Sequence, residues 1–206
     1  MDLNLFIAFT IAAGTFAFIP GPSIVYMMGR TLASGRRAGL EAAGGVHLGG
    51  YVHVVAAALG LSALFEYVPW AFAALKLAGA AYVIWIGIQL IRRPTDLTTV
   101  KAPSKSLSLR QSLLVEVLNP TTALFFIAFL PQFASPEAAL PLWAQFMVLG
   151  IVTNILFSLS DIPYVLAAGT LRDRVTSSKL ATRLQRGGGA ILIGLGLNLA
   201  LSRSTA

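Results

Sequence analysis

Six long apolar runs alternate with short polar segments along this chain of 206 residues. The runs cover residues 3–29, 40–64, 70–91, 113–130, 142–171 and 187–202. A helix needs about 20 predominantly apolar residues to cross a bilayer, within a range of about 17 to 25, so the first five runs are long enough. The sixth becomes long enough if Leu180 and Leu184 extend it. The pattern predicts an all-α membrane protein with six transmembrane helices.

The basic residues are distributed unevenly among the polar segments. Of the 15 lysines and arginines, all but Lys76 and Arg203 lie in the first, third and fifth gaps between the runs. They are Arg30, Arg36, Arg37, Arg92, Arg93, Lys101, Lys105, Arg110, Arg172, Arg174, Lys179, Arg183 and Arg186. Cytoplasmic loops carry an excess of Lys and Arg, so these gaps are predicted to face the cytoplasm. Both termini should then lie outside the cytoplasm.

Composition supports the same class of protein. The chain is 56% hydrophobic and only 11% charged, against about 25% charged residues in soluble domains. The formal charge of +7 lies in loops, where orientation and anionic lipid headgroups explain it without nucleic acid. There is no cysteine, which excludes disulfides. The N-terminus lacks the basic segment of a cleaved signal peptide, so the first run is expected to be a retained span.

The domain organisation follows from the short gaps. We predict one transmembrane domain over residues 1–206, with a first repeat at about 1–93, a cytoplasmic loop at about 94–112 and a second repeat at about 113–206. With three spans each, the repeats would be inverted, as in many transporters. Pro22 and Pro120 occupy corresponding positions in the first and fourth runs. The third and sixth runs share a pattern in which Gly79, Ile84, Gly87, Gln89 and Leu90 match Gly188, Ile193, Gly196, Asn198 and Leu199.

The first run contains a helix-breaking sequence, Pro20-Gly21-Pro22-Ser23. Proline removes a backbone donor and clashes with the preceding turn, and glycine adds freedom, so the helix should kink or unwind here. The second half-helix would then present its positive N-terminus to a cavity, where it suits a substrate carboxylate. A packing kink without a ligand is the alternative.

The fourth run repeats the device in Asn119-Pro120-Thr121. Asn119 offers a donor and an acceptor inside the membrane, and the threonine hydroxyl can satisfy carbonyls that the proline leaves free. This predicts a second substrate-binding segment. Hydrogen bonding between helices, with no substrate, is the alternative.

The fifth run contains an acid, Asp161. An acid within a span costs about 2.5 to 3.5 kcal/mol on insertion scales, so Asp161 should face a polar cavity or a partner. It is a candidate for substrate binding and for proton coupling. Alternatively it pairs with Arg172 or Arg174 near the cytoplasmic end.

The three features fall at one depth. At 1.5 Å per residue, Pro22, Asn119 and Asp161 lie about 9 to 15 Å from the cytoplasmic ends of their runs, which predicts a single polar site. By the same measure Glu116 is nearer the edge. We therefore expect Glu116 at headgroup level or in a vestibule, and not in the site.

The second run carries two histidines and many glycines. His47 and His53 are six residues apart and lie on different helix faces, so no metal site is predicted. His53 could carry a proton or make a hydrogen bond between helices. Gly35 with Gly39 and Gly45 with Gly49 are pairs that allow close helix packing, for which packing within the chain is favoured and a homodimer is an open possibility.

These motifs resemble the LysE/RhtB amino-acid exporters, which are small six-span carriers of the bacterial inner membrane. The likeness covers nearly the whole chain. It rests on the residues from Pro20 to Pro22, the glycine pattern up to His53 in the second run, and Leu118-Asn119-Pro120 followed by Leu130-Pro131-Gln132-Phe133. The family's usual lysine after Asn-Pro is Thr121 here. The resemblance implies export of amino acids or close derivatives, driven by the proton gradient.

We therefore predict a secondary transporter that exports a zwitterionic or weakly charged amino acid by alternating access. The half-helix after Pro22 and the side chain of Asn119 are expected to hold the carboxylate, while Asp161 meets the ammonium group or carries the coupled proton. No cofactor is predicted. A passive channel or scaffold is the alternative; a membrane-embedded enzyme is disfavoured because no HExxH or GxSxG pattern occurs.

Overall fold

A computed structural model of the chain describes residues 3–19, 21–68, 70–92 and 109–171, together with isolated positions at 186, 187, 190, 193, 194, 197 and 200. Within these ranges the protein is helical and has no strand. The α-helices are α1 (Leu3–Ala17), α2 (Pro22–Ser34), α3 (Arg36–Tyr67), α4 (Trp70–Arg92), α5 (Leu109–Val117), α6 (Pro120–Phe129) and α7 (Leu142–Leu171). A short 3-10 helix, Leu130–Phe133, continues α6.

In the described residues the helices match three of the six predicted spans, or five if each of two bent helix pairs forms one span. In the described residues α3, α4 and α7 are each long and apolar enough to cross a membrane. The pairs α1–α2 and α5–α6, bent by 42° and 51°, have the length and composition of a broken span or a re-entrant loop. Most of the sixth run lies outside the described residues, although every described position between 186 and 200 is helical. The all-helical prediction is confirmed, and the count of six and the orientation of the termini stay predictions.

Both breaks occur where proline begins a new helix. Pro22 starts α2 and Pro120 starts α6, each preceded by a residue with extended backbone, Gly21 (φ −91°, ψ −177°) and Asn119 (φ −76°, ψ 106°). The residue before a proline rarely adopts helical backbone angles, so a helix tends to end there. Proline itself is tolerated at the first position of a helix, because its missing N–H would have no partner there. Local sterics therefore place the two breaks.

Side chains of α7 satisfy the carbonyls at the end of α1. The hydroxyl of Ser160 donates to Ala17 O at 2.8 Å, and the hydroxyl of Tyr164 donates to Phe18 O at 2.9 Å. A buried carbonyl without a donor would cost free energy comparable to a lost hydrogen bond. These bonds hold the first break against the segment of α7 that carries Asp161.

The glycines of α3 are used for packing inside the chain. A Cβ on Gly45 would lie 2.5 Å from Leu109 O of α5, and one on Gly39 would meet the side chain of Thr31. The predicted packing role is confirmed. Gly39, Gly45 and Gly49 are buried within the chain, and the homodimer considered from the sequence stays a prediction.

A cluster of phenylalanines forms the apolar core between α1, α6 and α7. Phe125 and Phe129 stack with their ring centroids 4.6 Å apart, and Phe16 contacts both rings at 5.0 and 5.3 Å. Phe133 and Phe146 are fully buried in the same cluster. Aromatic pairs at these separations are favourable beyond their buried area. The cluster forms a dense apolar layer next to the two breaks.

Candidate functional site

A cavity of about 460 Å³ lies where the two breaks meet α3, α4 and α7. Sites for small molecules span about 300 to 1,000 Å³, so the cavity has room for an amino acid. Six of the predicted site residues line it: Gly21, Pro22, Ser23, Asn119, Thr121 and Asp161. The structure thus brings together the features that the sequence placed at one depth.

The remaining predicted residues are not among the lining residues described. Pro120 begins α6 with an exposed ring and is not among the lining residues described. Pro20 lies outside the described residues. His53 is not part of the cavity lining described.

Glu116 is at the centre of the polar lining, which corrects the expectation of a headgroup-level or vestibule residue. Glu116 is only 4% exposed, and it lines the cavity. Ser23 Oγ donates to Glu116 Oε2 at 2.5 Å, and Thr122 Oγ1 donates to Oε1 at 2.6 Å. Asn119 Nδ2 donates to Oε2 at 3.3 Å. Glu116 therefore joins the start of α2 to the start of α6.

Asn119 both caps α6 and contacts α2. Its Oδ1 accepts a hydrogen bond from the backbone N–H of Thr121 at 3.0 Å, which is the bond an N-cap residue makes. Its Nδ2 donates to Ser23 Oγ at 3.0 Å as well as to Glu116. Both ends of the Asn119 amide are engaged in this arrangement.

The N-terminus of α2 has no such cap. Gly21 precedes it, no side chain caps it, and its first internal bond runs from Val25 N to Gly21 O at 3.1 Å. The N–H groups of the first turn of a helix have no partner within the helix. Because Ser23 and Ile24 line the cavity, the positive end of α2 opens toward it.

Asp161 faces His47 across the cavity wall. The residue is 5% exposed, and its Oδ2 lies 3.3 Å from His47 Nε2. Sequence reasoning considered His47 only as a metal ligand and missed this partner. The criterion that selected Asp161, a titratable group deep in an apolar run, would also have selected His47. The alternative partners Arg172 and Arg174 lie outside the described residues.

Two further polar side chains of α7 line the cavity beside this pair. Asn154 Nδ2 donates to His47 O at 3.1 Å, which ties α7 to α3. The hydroxyl of Thr153 is fully buried and has no hydrogen-bond partner among the described residues. A buried polar group without a partner is costly, so the Thr153 hydroxyl is available to a ligand or water in the cavity.

Neighbouring glycines of α3 make room for these side chains. A Cβ on Gly49 would lie 2.7 Å from Glu116 Cβ, and one on Gly50 would lie 2.5 Å from Asn154 Oδ1. Any larger residue at either position would push α5 or α7 away. Part of the glycine pattern in the second run therefore positions the polar lining of the cavity.

His53 contacts the second break from outside the cavity. Its Nε2 lies 2.9 Å from Glu116 O, and because a carbonyl can only accept, Nε2 carries the hydrogen. The imidazole also stacks on Phe126, with centroids 6.1 Å apart. This is the interhelical hydrogen bond considered from the sequence, and a role for His53 in proton coupling stays a prediction.

Comparisons with known proteins agree on one family. A sequence profile described as LysE type translocator matches residues 15–203. An uncharacterized membrane protein of Vibrio cholerae is 31% identical over 207 residues, covering 99% of this chain and 100% of the relative. The homoserine/homoserine lactone efflux protein of Salmonella typhimurium is 28% identical over 206 residues, covering 98% and 99%. The leucine efflux protein of Klebsiella pneumoniae is 25% identical over 205 residues, covering 97% and 96%. No solved structure shows a significant match.

Proposed function

Because this chain belongs to the LysE family of translocators, we propose that it exports an amino acid or a close derivative from the bacterial cytoplasm. It is a multi-pass protein of the bacterial membrane. The observation that carries the proposal is the cluster of buried polar side chains that lines the cavity at the two helix breaks and at the Asp161–His47 pair. Polar and ionisable groups inside a membrane protein are costly and mark the path of a substrate or ion.

The cavity offers complementary groups to the two ends of an amino compound. The open N-terminus of α2 presents the N–H groups of Ser23 and Ile24, which suit a carboxyl or carbonyl oxygen. Asp161 suits an ammonium group. Gly21 and Pro22 interrupt the first span so that these N–H groups become free. Asn119 and Thr121 of the second break line the cavity beside them.

The described core favours a carrier over a passive channel. Phe16 and Phe125 line the cavity and also pack into the buried phenylalanine cluster with Phe129. A continuous aqueous pore would have to pass a barrier of this kind. A carrier instead exposes its site to one side of the membrane at a time.

The transport cycle we propose is alternating access between two inverted repeats. Each repeat contributes one broken span, with Pro22 and Pro120 in the same position at the start of the second half-helix. Rocking of one repeat against the other around a site at their interface is how such transporters work. In this proposal the protein has six transmembrane spans, and both termini lie outside the cytoplasm.

We assign proton coupling to Asp161. A carboxylate in this position can hold a proton or an ammonium group but not both, so proton binding would displace the substrate. Such competition at one group is sufficient for proton influx to drive export. His53 is the second candidate, because histidine titrates near neutral pH.

Transport measurements test the proposal. Cells that overproduce the protein should tolerate higher concentrations of its substrate and release it faster than cells with an empty vector. In proteoliposomes, flux should be saturable, should show exchange of labelled for unlabelled substrate, and should respond to an imposed proton gradient. Flux that does not saturate would indicate a channel, and absence of flux for every amino acid and derivative would refute export.

The orientation has its own test. Ser34, the last residue of α2, and Ala139, in the connection before α7, are both exposed and have opposite predicted locations. In intact cells an impermeant thiol reagent should label Ala139→Cys and leave Ser34→Cys unlabelled until the membrane is opened. The native chain has no cysteine, so any labelling of this protein comes from the introduced cysteine. The reverse labelling pattern would invert the topology.

A further inference from the structure

The charged groups that line the cavity are unbalanced. Glu116 and Asp161 contribute two carboxylates, and the only basic side chain among the described lining residues is His47. No lysine or arginine is among the described lining residues to balance them. A buried negative charge favours a cation as its partner. The cavity is therefore suited to a substrate with net positive charge.

Glu116 already occupies donors that a substrate carboxylate would need. Ser23 Oγ, Asn119 Nδ2 and Thr122 Oγ1 all donate to its two oxygens. A carboxylate only accepts hydrogen bonds, so all three of these donors are engaged by Glu116. A second carboxylate at the two breaks would lose these side-chain donors and would meet a like charge in a poorly solvated cavity.

We infer that the preferred substrate is an α-amino compound whose carboxyl group is masked as an amide, ester or lactone. This inference rests on the proposed export function and narrows its substrate class. The carbonyl oxygen of such a compound accepts from the open N-terminus of α2 without adding a charge. Its ammonium group pairs with Asp161, and the unpartnered hydroxyl of Thr153 is available as a further acceptor.

The apolar lining indicates the side chain of the substrate. Phe16, Phe125, Phe157 and Ile86 line the cavity, and α4 adds the aromatic rings of Tyr82 and Trp85. Burying a side chain such as that of leucine against these groups is favourable because it removes apolar surface from water. Leucinamide therefore serves as a probe with the same side chain as leucine and no carboxylate.

Binding to the purified full-length protein tests the inference. A ligand that binds the folded state raises its melting temperature with concentration, so thermal unfolding in detergent gives half-saturating concentrations. The experiment compares leucinamide, leucine methyl ester, leucine and lysine at pH 6.5, where an α-amino group with a pKa of about 7.7 to 8.0 is protonated. Leucinamide should bind at least about tenfold more tightly than leucine, because it avoids the repulsion by Glu116.

Glu116→Gln separates this explanation from a general preference for apolar amines. Removing the charge should bring the leucine to leucinamide ratio to about threefold or less, mainly because leucine binds better. Thr121→Lys is the second variant, in case Glu116→Gln does not fold. The cap of α6 should survive this change, because Asn119 accepts from the backbone N–H of residue 121 and not from its side chain. The added lysine places a cation in the cavity lining and should also bring the affinities of leucine and leucinamide closer together. Glu137→Gln, at an exposed acid, is the control and should leave the ratio unchanged.

The outcomes distinguish the inference from the export proposal. Tighter binding of leucine or lysine than of leucinamide, a ratio that neither cavity variant alters, or no stabilisation by either class would overturn the masked-carboxyl inference. If cells nevertheless export free amino acids, the proposed function stands and only the substrate class is wrong. If cells export neither class, the proposed function itself fails.

Discussion

Both helix breaks have a proline at the start of the following helix, but the two helix starts are capped differently. At the first break α2 begins without a side-chain cap, and its first turn opens into the cavity. At the second break Asn119 caps α6, and Glu116 binds the surrounding hydroxyls and amide. The carbonyls freed at the first break are satisfied by another helix, α7, through Ser160 and Tyr164.

This difference assigns different tasks to the breaks. An uncapped helix start has N–H groups to offer, so the first break is suited to contact the substrate. A capped start has fewer to offer, and at the second break Asn119 and Thr122 donate to Glu116 instead. Sequence reasoning treated the two as equivalent halves of one carboxylate site. The geometry favours the first break for direct contact.

The largest expected effect is at Asp161, which lies on α7 between the two residues that close the first break. Asp161→Asn keeps the size of the side chain and removes its charge and its titration. Gradient-driven accumulation of substrate should collapse, by well over the factor of ten that about 1.4 kcal/mol of lost coupling represents. The measurement is proton-driven export in proteoliposomes.

Glu137→Gln is the matched control for Asp161→Asn, because Glu137 is an exposed acid in the connection before α7. It should export at the native rate. Exchange of labelled for unlabelled substrate can persist in Asp161→Asn if the rest of the site forms. Full proton-dependent accumulation by Asp161→Asn would move the coupling role to His53 or Glu116.

The next effect concerns the open N-terminus of α2. Gly21→Ala together with Pro22→Ala should extend a continuous helix through the first break and pair the free N–H groups, which would abolish export while leaving membrane insertion intact. An added Cβ at position 21 meets no atom within 4 Å, so loss of activity would not come from a clash. Export and membrane yield are measured on the same cells.

Pro120→Ala is the matched change at the second break. Asn119 would still cap α6 in this variant, so the break should persist and export should be reduced far less than in the double variant. Equal loss of export in both would show that the breaks are equivalent. Normal export by the Gly21 and Pro22 double variant would show that the first break serves helix packing and does not bind the substrate.

A smaller effect, mainly on stability, is expected at the cap of the second break. Asn119→Ala removes the bond to Thr121 N and the donor to Ser23 and Glu116. Loss of an N-cap costs about 1 kcal/mol, within a range of about 0.5 to 2, so the free energy of unfolding should fall by about that amount. Unfolding in mixed detergent micelles measures it, with Gly14→Ala as a control at an open position of α1.

Much of the fold could be predicted because apolar length and proline act locally. The fifth run was expected at residues 142–171, and α7 spans Leu142–Leu171. The third run, 70–91, differs from α4 by one residue. The breaks at Pro22 and Pro120 follow from backbone sterics that need no tertiary context.

The arrangement within the cavity was less accessible from the sequence. The depth of Glu116 was counted along a straight helix from residue 113, but α5 begins at Leu109 and the fourth span bends by 51°. The pairing of His47 with Asp161 depends on how α3 and α7 are aligned, and close packing at Gly50 and Asn154 sets that alignment. Neither the bend nor the alignment is visible in hydropathy.

The smallest expected effect is at His53, which supports the second break from outside the cavity. His53→Phe keeps a ring to stack on Phe126 and removes the donor to Glu116 O. One lost hydrogen bond is worth about 0.5 to 1.5 kcal/mol, so unfolding should become easier by about 1 kcal/mol while export keeps its dependence on the proton gradient. His53→Gln, which retains a donor that does not titrate near neutral pH, should restore part of this stability. If both variants instead lose proton-driven accumulation while still exchanging substrate, His53 carries the coupled proton, and the second break, rather than the first, is the one that senses the gradient.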